Sequence, residues 1–167
     1  AASQYGFVTT RDARDLGYSA VELAKLASRE KLERISQGLY RFPELPQTAR
    51  DDYMRAVLAT GAPDAILSHD TALLVHDLCD INPEIIHVNV GKHRVRRNIS
   101  GVQLHSDHIS PRERSWWEGI PVVTVLTAIE QGIATKVPRH LLHQAIGAAR
   151  ARGQLTALEL SELESNL

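Results

Sequence analysis

The chain has 167 residues, of which 43% are hydrophobic, and a formal net charge of −1, values that suit one large or two small globular domains. Its single cysteine, Cys79, excludes an internal disulfide and a cysteine-rich zinc site. No apolar run approaches the roughly 20 residues that span a bilayer, and no secretory signal is recognisable. We therefore expect a cytoplasmic protein without membrane contact.

Charge is unevenly distributed along the chain. Residues 51–87 carry seven acidic side chains and one basic side chain, whereas residues 88–114 carry six basic and two acidic ones. The local charge, rather than the net charge, decides which surface the phosphates of a nucleic acid would approach. The small net charge therefore does not exclude DNA binding.

The first 43 residues predict two short helices. Residues 9–16 and 19–30 each begin with Thr or Ser followed three residues later by an acidic residue, which is the pattern of a helix N-terminal capping box. In the second segment Leu23, Leu26 and Ala27 recur at helical spacing. This spacing predicts that they form the buried face of the second helix.

A β-hairpin is predicted after the helices, because residues 32–36 and 39–42 have the composition of strands around a Gln37-Gly38 turn. Two helices and a hairpin in this order are typical of a winged helix-turn-helix, whose second helix enters the major groove of DNA. The predicted DNA contacts are side chains expected on the exposed surfaces of this unit. They are Thr10, Arg11, Ser19, Val21, Lys25, Ser28, Arg29, Arg34, Gln37 and Arg41.

Residues 41–47 contain two prolines and predict a linker between domains. We divide the chain into a winged helix-turn-helix domain at residues 1–43 and a mixed α/β C-terminal domain at residues 44–167, which makes the fold α+β overall. In the C-terminal domain, helices are predicted over residues 51–60, 69–78, 126–134, 139–152 and 157–163. Strands are predicted over residues 66–67, 85–90, 102–105 and 121–125.

A basic cluster lies between the strands predicted at residues 85–90 and 102–105. Its members are Lys92, Arg94, Arg96 and Arg97. If the two strands form a hairpin, the cluster occupies its tip, where permanent charges would add phosphate contacts to those of the N-terminal domain. The alternatives are a solvated loop and a docking site for an acidic protein.

Eight histidines raise the question of a metal site. Residues 105–108 read His-Ser-Asp-His and could supply ligands, and His69 and His76 lie two helical turns apart. Catalytic zinc usually has three protein ligands in a tight constellation, and no zinc-binding motif is present. We therefore expect no metal, and we interpret His76 as a hydrogen-bonded core residue.

Catalytic motifs are also missing from the sequence, which has no nucleophile elbow and no glycine-rich phosphate loop. We expect no catalytic residue and no cofactor. Four aspartates do not fall on one strand edge as a two-metal nuclease would need: Asp64, Asp70, Asp77 and Asp80. The pair Trp116-Trp117 is predicted at the entry to a strand, with one ring buried and the other partly exposed.

The order of several segments resembles that of the AbiEi family. The more specific segments are residues 6–13, 16–19, 32–35 and 38–41, and the looser ones are residues 68–73, 78, 86–90, 102–105 and 119–122. Members of that family are antitoxins of type IV toxin–antitoxin and phage abortive-infection systems. The chain departs from the family at residues 123–127, which read Val-Thr-Val-Leu-Thr where the family usually has Thr-Pro-x-Arg-Thr. A role specific to that arginine therefore does not carry over.

The resemblance implies a sequence-specific DNA-binding repressor that regulates its own operon and acts as an antitoxin against a nucleotidyltransferase-like toxin. The implied partners are double-stranded operator DNA and that toxin, and a monomer that binds operator repeats cooperatively is one arrangement left open. Two other classes also stay open: a DNA-targeted nuclease or nucleotidyltransferase, and a protein-interaction adaptor without DNA affinity. The missing catalytic constellation argues against the enzyme, and Lys25 and Arg29 on the exposed helix face argue against the adaptor.

Overall fold

The computed structural model describes residues 2–92, 95 and 98–167. Within these residues the chain forms seven α-helices and two β-sheets, so the predicted α+β class is confirmed at this level. None of the helices in the described ranges has both the length and the apolar character needed to cross a bilayer.

The N-terminal part consists of two helices and a small antiparallel sheet. Its elements are β1 (Phe7–Thr9), α1 (Thr10–Asp15), α2 (Ala20–Ser28), β2 (Glu33–Ser36) and β3 (Leu39–Arg41). The strand order is β1-β3-β2, with both pairings antiparallel. The hairpin of β2 and β3 was predicted, whereas the three-residue strand β1 was not, because so short a segment has no readable alternation.

Both predicted capping boxes are present. Thr9 accepts a hydrogen bond from the backbone N–H of Asp12, and Ser19 accepts one from the backbone N–H of Glu22. In each box the acidic side chain also accepts the backbone N–H of the capping residue. These contacts satisfy backbone donors that the first turn of a helix leaves without partners.

A small hydrophobic cluster holds the N-terminal elements together. Its buried members are Ala13, Leu23, Leu32 and Tyr40, and Leu26 packs against them half-buried. The predicted apolar face of α2 is therefore confirmed, with Leu23 at its centre.

The C-terminal part surrounds a five-stranded sheet with the order β6-β5-β4-β8-β7. Its strands are β4 (Ile66–Leu67), β5 (Ile86–Asn89), β6 (Val102–His105), β7 (Arg114–Trp117) and β8 (Ile120–Val123). Its helices are α3 (Asp51–Ala59), α4 (His69–Val75), α5 (Val125–Ala134), α6 (Arg139–Ala151) and α7 (Ala157–Ser165). Every helix and strand predicted beyond residue 44 is present, and β7 is an additional strand.

The hairpin predicted for β5 and β6 is wrong, because the two strands run parallel. Their register pairs Ile86 with Val102 and Asn89 with His105. Parallel neighbours need a crossover connection, so residues 90–101 connect the end of β5 to the start of β6 at the opposite end of the strand pair. The alternation of apolar residues reveals a strand but not its direction, which is why the sequence did not distinguish the two arrangements.

The main core is built around the central strands of the five-stranded sheet, where Leu67, Val88 and Val122 are fully buried. Phe7 and Leu39 of the N-terminal sheet belong to the same core. The N-terminal elements are therefore packed against the C-terminal part. The predicted division into domains at residue 43 stays a prediction.

Candidate nucleic-acid interface

Helix α2 presents one face to solvent along its whole length. Val21, Lys25, Ser28 and Arg29 are all exposed, whereas Leu23 on the opposite side is 4% exposed. The exposed positions are spaced by four, three and one residues, with Arg29 as the C-cap of α2, so they share one side of the helix. The expectation that Lys25 and Arg29 lie on the solvent face is confirmed.

Hydrogen bonds shape the two ends of this face. The Ser28 hydroxyl donates to the carbonyl oxygen of Lys25 at 2.8 Å. At the other end, Ser19 is engaged as the N-cap, and its backbone N–H donates to the Glu22 carboxylate at 2.6 Å. This backbone contact and the Ser19 hydroxyl lower the pKa of Glu22. Ser19 therefore has a structural role in addition to the DNA contact predicted for it.

Thr10 and Arg11, two of the predicted DNA contacts, lie at the start of α1, where this helix meets the C-terminal part. Thr10 is half-buried, and its backbone N–H donates to the carbonyl oxygen of Gly38 at 3.0 Å. Arg11 is exposed, and its guanidinium donates to the carbonyl oxygen of Gly61, just after α3, at 2.9 Å. Arg11 thus links the two parts of the chain, a role that its sequence position does not reveal.

The predicted contacts on the hairpin separate into two groups. Arg34 on β2 and Gln37 in the turn are exposed, as a DNA contact requires. Arg41 is only 3% exposed, because it ends β3, the central strand of the small sheet. The prediction that Arg41 contacts DNA is therefore wrong for this structure.

Arg41 instead holds the linker and the start of α3 in place. Its guanidinium donates to the carbonyl oxygens of Leu45 and Pro46 at 2.9 and 3.1 Å. It also forms an ion pair of 3.2 Å with Asp51, whose side chain is 13% exposed. The segment predicted as a linker is therefore tied to both of its flanking elements.

Further contacts join the N-terminal part to the loop between β7 and β8. The Tyr5 hydroxyl donates to the carbonyl oxygen of Glu118 at 2.6 Å.

Trp116 is 71% exposed, whereas Trp117 is half-buried and contacts the edge of the Tyr53 ring at a centroid distance of 5.5 Å. Trp116 is thus more exposed than the partly exposed ring that was predicted, and Trp117 is less buried than the buried ring that was predicted.

The basic cluster falls mostly outside the described residues. Lys92 is exposed in the crossover between β5 and β6, and Arg94, Arg96 and Arg97 lie outside the described ranges. The predicted role of this cluster in DNA binding stays a prediction.

Three imidazole rings from α4, β5 and β6 form a stack. The rings of His69 and His105 lie 3.6 Å apart at an angle of 13°, and those of His87 and His105 lie 5.1 Å apart at 19°. Nδ1 of His87 and Nε2 of His105 are 2.8 Å apart, so one ring donates and the other accepts. The stack lies at a cavity of about 540 Å³ that Asp70 and Lys136 also line.

Burial disfavours the protonated form of these histidines. It lowers the pKa of His69 to about 4, helped by the nearby His105 and opposed by Asp107. Burial is also the main cause that lowers the pKa values of His87 and His105. His76 is half-buried 2.7 Å from the carbonyl oxygen of Val123, which confirms it as a hydrogen-bonded histidine.

Sequence reasoning considered His69 and His105 separately and did not single out His87. The sequence pattern that could have identified the stack is a polar residue at every second position of both strands. These residues are His87 and Asn89 on β5, and Gln103 and His105 on β6. Among the residues that the structure describes, no three His, Cys, Asp or Glu side chains are arranged to hold a metal ion.

Comparison with known proteins gives one family match, which covers the N-terminal segment. Residues 1–43 match a family described as "Transcriptional regulator, AbiEi antitoxin". The N-terminal segment is thus similar to that of antitoxin-type transcriptional regulators. Over these residues the match confirms the resemblance to the AbiEi family found in the sequence. No curated protein matches the chain.

A solved structure shows the same fold over most of the chain. The crystal structure of the RV2827C protein from Mycobacterium tuberculosis superposes with a TM-score of 0.55 at 15% sequence identity. The match covers 95% of this chain and 66% of that protein. At this identity the likeness concerns the fold alone, and it includes both the N-terminal and the C-terminal parts.

Proposed function

We propose that this protein is a DNA-binding transcriptional repressor whose residues 7–41 form a winged helix-turn-helix. The observation that carries the proposal is the exposed face of α2 with Val21, Lys25, Ser28 and Arg29. A major groove admits one α-helix and presents base edges to its side chains. Arg34 and Gln37 on the hairpin would contact the phosphate backbone beside it.

The distribution of charge supports this orientation. Residues 1–43 carry seven basic and five acidic side chains, whereas the remaining residues carry 12 basic and 15 acidic ones. Arg41 is paired internally, but Arg14 on α1 and Lys31 after α2 are exposed in addition to Lys25 and Arg29. The N-terminal part is therefore the side that the phosphates would approach first.

The match to AbiEi antitoxins extends the proposal to a biological role. The protein would bind the operator of its own operon and neutralise a cognate nucleotidyltransferase-like toxin in phage defence. Such a role places it in the cytoplasm, where the DNA is. A protein-interaction adaptor without DNA affinity is the competing function, and it predicts that the α2 face can be changed without effect on DNA.

Replacing Arg29 by Ala is expected to weaken operator binding by about 5- to 150-fold, because a side chain that reads a base contributes about 1–3 kcal/mol. Lys25→Ala is expected to weaken binding to operator and random DNA alike if Lys25 contacts a phosphate. Fluorescence anisotropy with labelled duplex from upstream of the gene, titrated at several salt concentrations, measures both effects.

Arg139→Ala provides the control, since Arg139 is an exposed arginine at the start of α6. This variant should bind DNA as the parent does. Unchanged affinity in both α2 variants would reject α2 as the recognition helix. Failure of the parent itself to bind DNA would favour the adaptor.

The purified protein is expected not to cleave DNA or RNA with Mg²⁺, Mn²⁺ or Zn²⁺ present, because a regulator of this family needs no hydrolytic chemistry. Incubation of plasmid DNA and of a labelled RNA with each metal tests this. Cleavage that persists through repurification and disappears in an Asp107→Asn or His105→Ala variant would favour the enzyme instead.

A further inference from the structure

Three exposed apolar side chains lie at the N-terminal end of α2 and in the turn before it. Leu16, Tyr18 and Val21 are 75%, 55% and 62% exposed, and they fall within six residues of the chain. Single exposed apolar residues are common, so the position of each one relative to the basic face decides what it could contact. We call these three residues the apolar tip.

Val21 belongs both to the apolar tip and to the exposed face of α2 that carries Lys25 and Arg29. It is the second residue of α2 and precedes Lys25 and Arg29 by one and two helical turns. The first residues of a recognition helix are the ones that contact base edges. Val21 is therefore placed toward the base pairs, while Lys25 and Arg29 follow along the same face.

The charge beside the apolar tip distinguishes DNA from a second copy of the chain. Lys25 and Arg29 are exposed and follow Val21 along α2, whereas the neighbouring acid Glu22 is engaged in the capping box with Ser19. The cations therefore favour an anionic partner over a second copy of the same basic face. DNA presents phosphates to these cations. In the major groove it also presents one apolar group, the 5-methyl group of thymine.

The side chain of Val21 is suited to such a contact. A β-branched side chain in a helix has one strongly preferred rotamer, so its two methyl groups already have a fixed direction before binding. Little side-chain freedom is lost when they are covered. Most of the favourable free energy of removing the apolar surface of Val21 from water therefore contributes to binding.

We propose that Val21 contacts a thymine 5-methyl group in the major groove and thereby makes the protein select thymine at one position of its site. This inference rests on the proposed DNA-binding function. It names the chemical group that α2 reads, which an exposed basic face alone does not specify.

The test is a double-mutant cycle between the protein and its DNA. The probe is a 25-base-pair duplex enriched from a random pool by the full chain, in which each thymine is replaced in turn by deoxyuridine. This replacement removes the 5-methyl group and keeps every hydrogen-bonding group. For the parent, one position is expected to lose about fourfold in affinity, the factor for burying one methyl group.

Val21→Ala is expected to bind the unmodified duplex more weakly and to be insensitive, within twofold, to deoxyuridine at that same position. Lys25→Ala should bind more weakly yet keep the fourfold sensitivity. Leu158→Ala, which changes another exposed apolar side chain on α7, should behave as the parent. Val21 is exposed and Ala is a good helix former, so the variant is expected to fold.

Three outcomes would overturn the inference. Deoxyuridine could have no effect at any position, or Val21→Ala could keep the sensitivity of the parent. Alternatively, Val21→Ala could convert a dimer of the parent into a monomer in analytical ultracentrifugation, which would make the apolar tip a protein interface. If no duplex is enriched at all, the proposed DNA-binding function fails, which is a different result.

Discussion

Replacing Arg41 by Ala is expected to lower the free energy of unfolding by about 3–5 kcal/mol, the usual effect of removing one partner from a buried ion pair. The pair is well covered, since the side chains of Arg41 and Asp51 are 4% and 13% exposed. Without Arg41, the Asp51 carboxylate loses its cationic partner. The remaining donors to this carboxylate are the backbone N–H and hydroxyl of Thr48.

The loss would extend beyond the ion pair. Arg41 also donates to the carbonyl oxygens of Leu45 and Pro46, and its guanidinium lies 5.8 Å from the centre of the Phe7 ring. One side chain thus connects the small sheet, the proline-containing segment and the start of α3. Its removal should loosen the docking of the N-terminal part.

Urea unfolding followed by circular dichroism measures this effect, with Arg34→Ala as the matched control. Arg34 lies on the neighbouring strand and is exposed, so its replacement should change the free energy of unfolding by less than about 0.5 kcal/mol. The double variant Arg41→Met/Asp51→Leu should be more stable than Arg41→Ala, because no buried charge is left unpaired. If the Arg41→Ala variant kept the stability of the parent but bound DNA more weakly, Arg41 would be a DNA contact and not a structural residue.

Local features of the sequence predicted most of the helices. The capping residues Thr9 and Ser19, followed by acids three residues later, located the starts of α1 and α2, and the spacing of Leu23 and Leu26 identified the buried face. These signals act over one or two turns, so they do not depend on the rest of the chain. The same holds for the exposure of Lys25 and Arg29, which follows from helical periodicity.

Features that depend on distant parts of the chain were not predictable. Arg11 and Arg34 look alike in sequence, yet Arg11 donates to Gly61, 50 residues away, while Arg34 is free of such a contact in the described structure. Arg41 is buried because β1, unrecognised in the sequence, makes β3 a central strand. The direction of β6 and the meeting of His69, His87 and His105 likewise depend on strand pairing.

The protein is expected to lose stability as pH falls from about 7.5 to 5, because burial disfavours the protonated form of His69 in the folded state. Burial lowers the pKa of His69 from 6.5 to about 4 in the folded state. The unfolded chain therefore binds protons that the folded chain does not, and the stability from this group, complete above the unfolded pKa, is lost as pH falls below it. For His69 alone the loss is about 2 kcal/mol at pH 5 and about 3 kcal/mol at pH 4.

The geometry explains why a proton is poorly accommodated in this stack. His69 lies 3.6 Å from the parallel ring of His105, so two imidazolium ions would face each other. The hydrogen bond between His87 and His105 needs one ring nitrogen without a proton. Asp107 partly offsets the cost of protonating His69, since its carboxylate lies 3.2 Å from Nε2.

Urea unfolding at pH 7.5, 6 and 5 in a constant-ionic-strength buffer measures this dependence above the range where most carboxylates titrate. His69→Asn should flatten it, since Asn does not titrate and tolerates the positive φ of 52° at this position. His143→Gln, at an exposed histidine on α6, should keep the parental slope. A parent whose stability is constant between pH 7.5 and 5, or a His69→Asn variant as acid-sensitive as the parent, would show that the stack accepts protons without cost. In that case burial would not control the pKa of His69, and its NMR titration would show a midpoint near 6.5 instead of near 4.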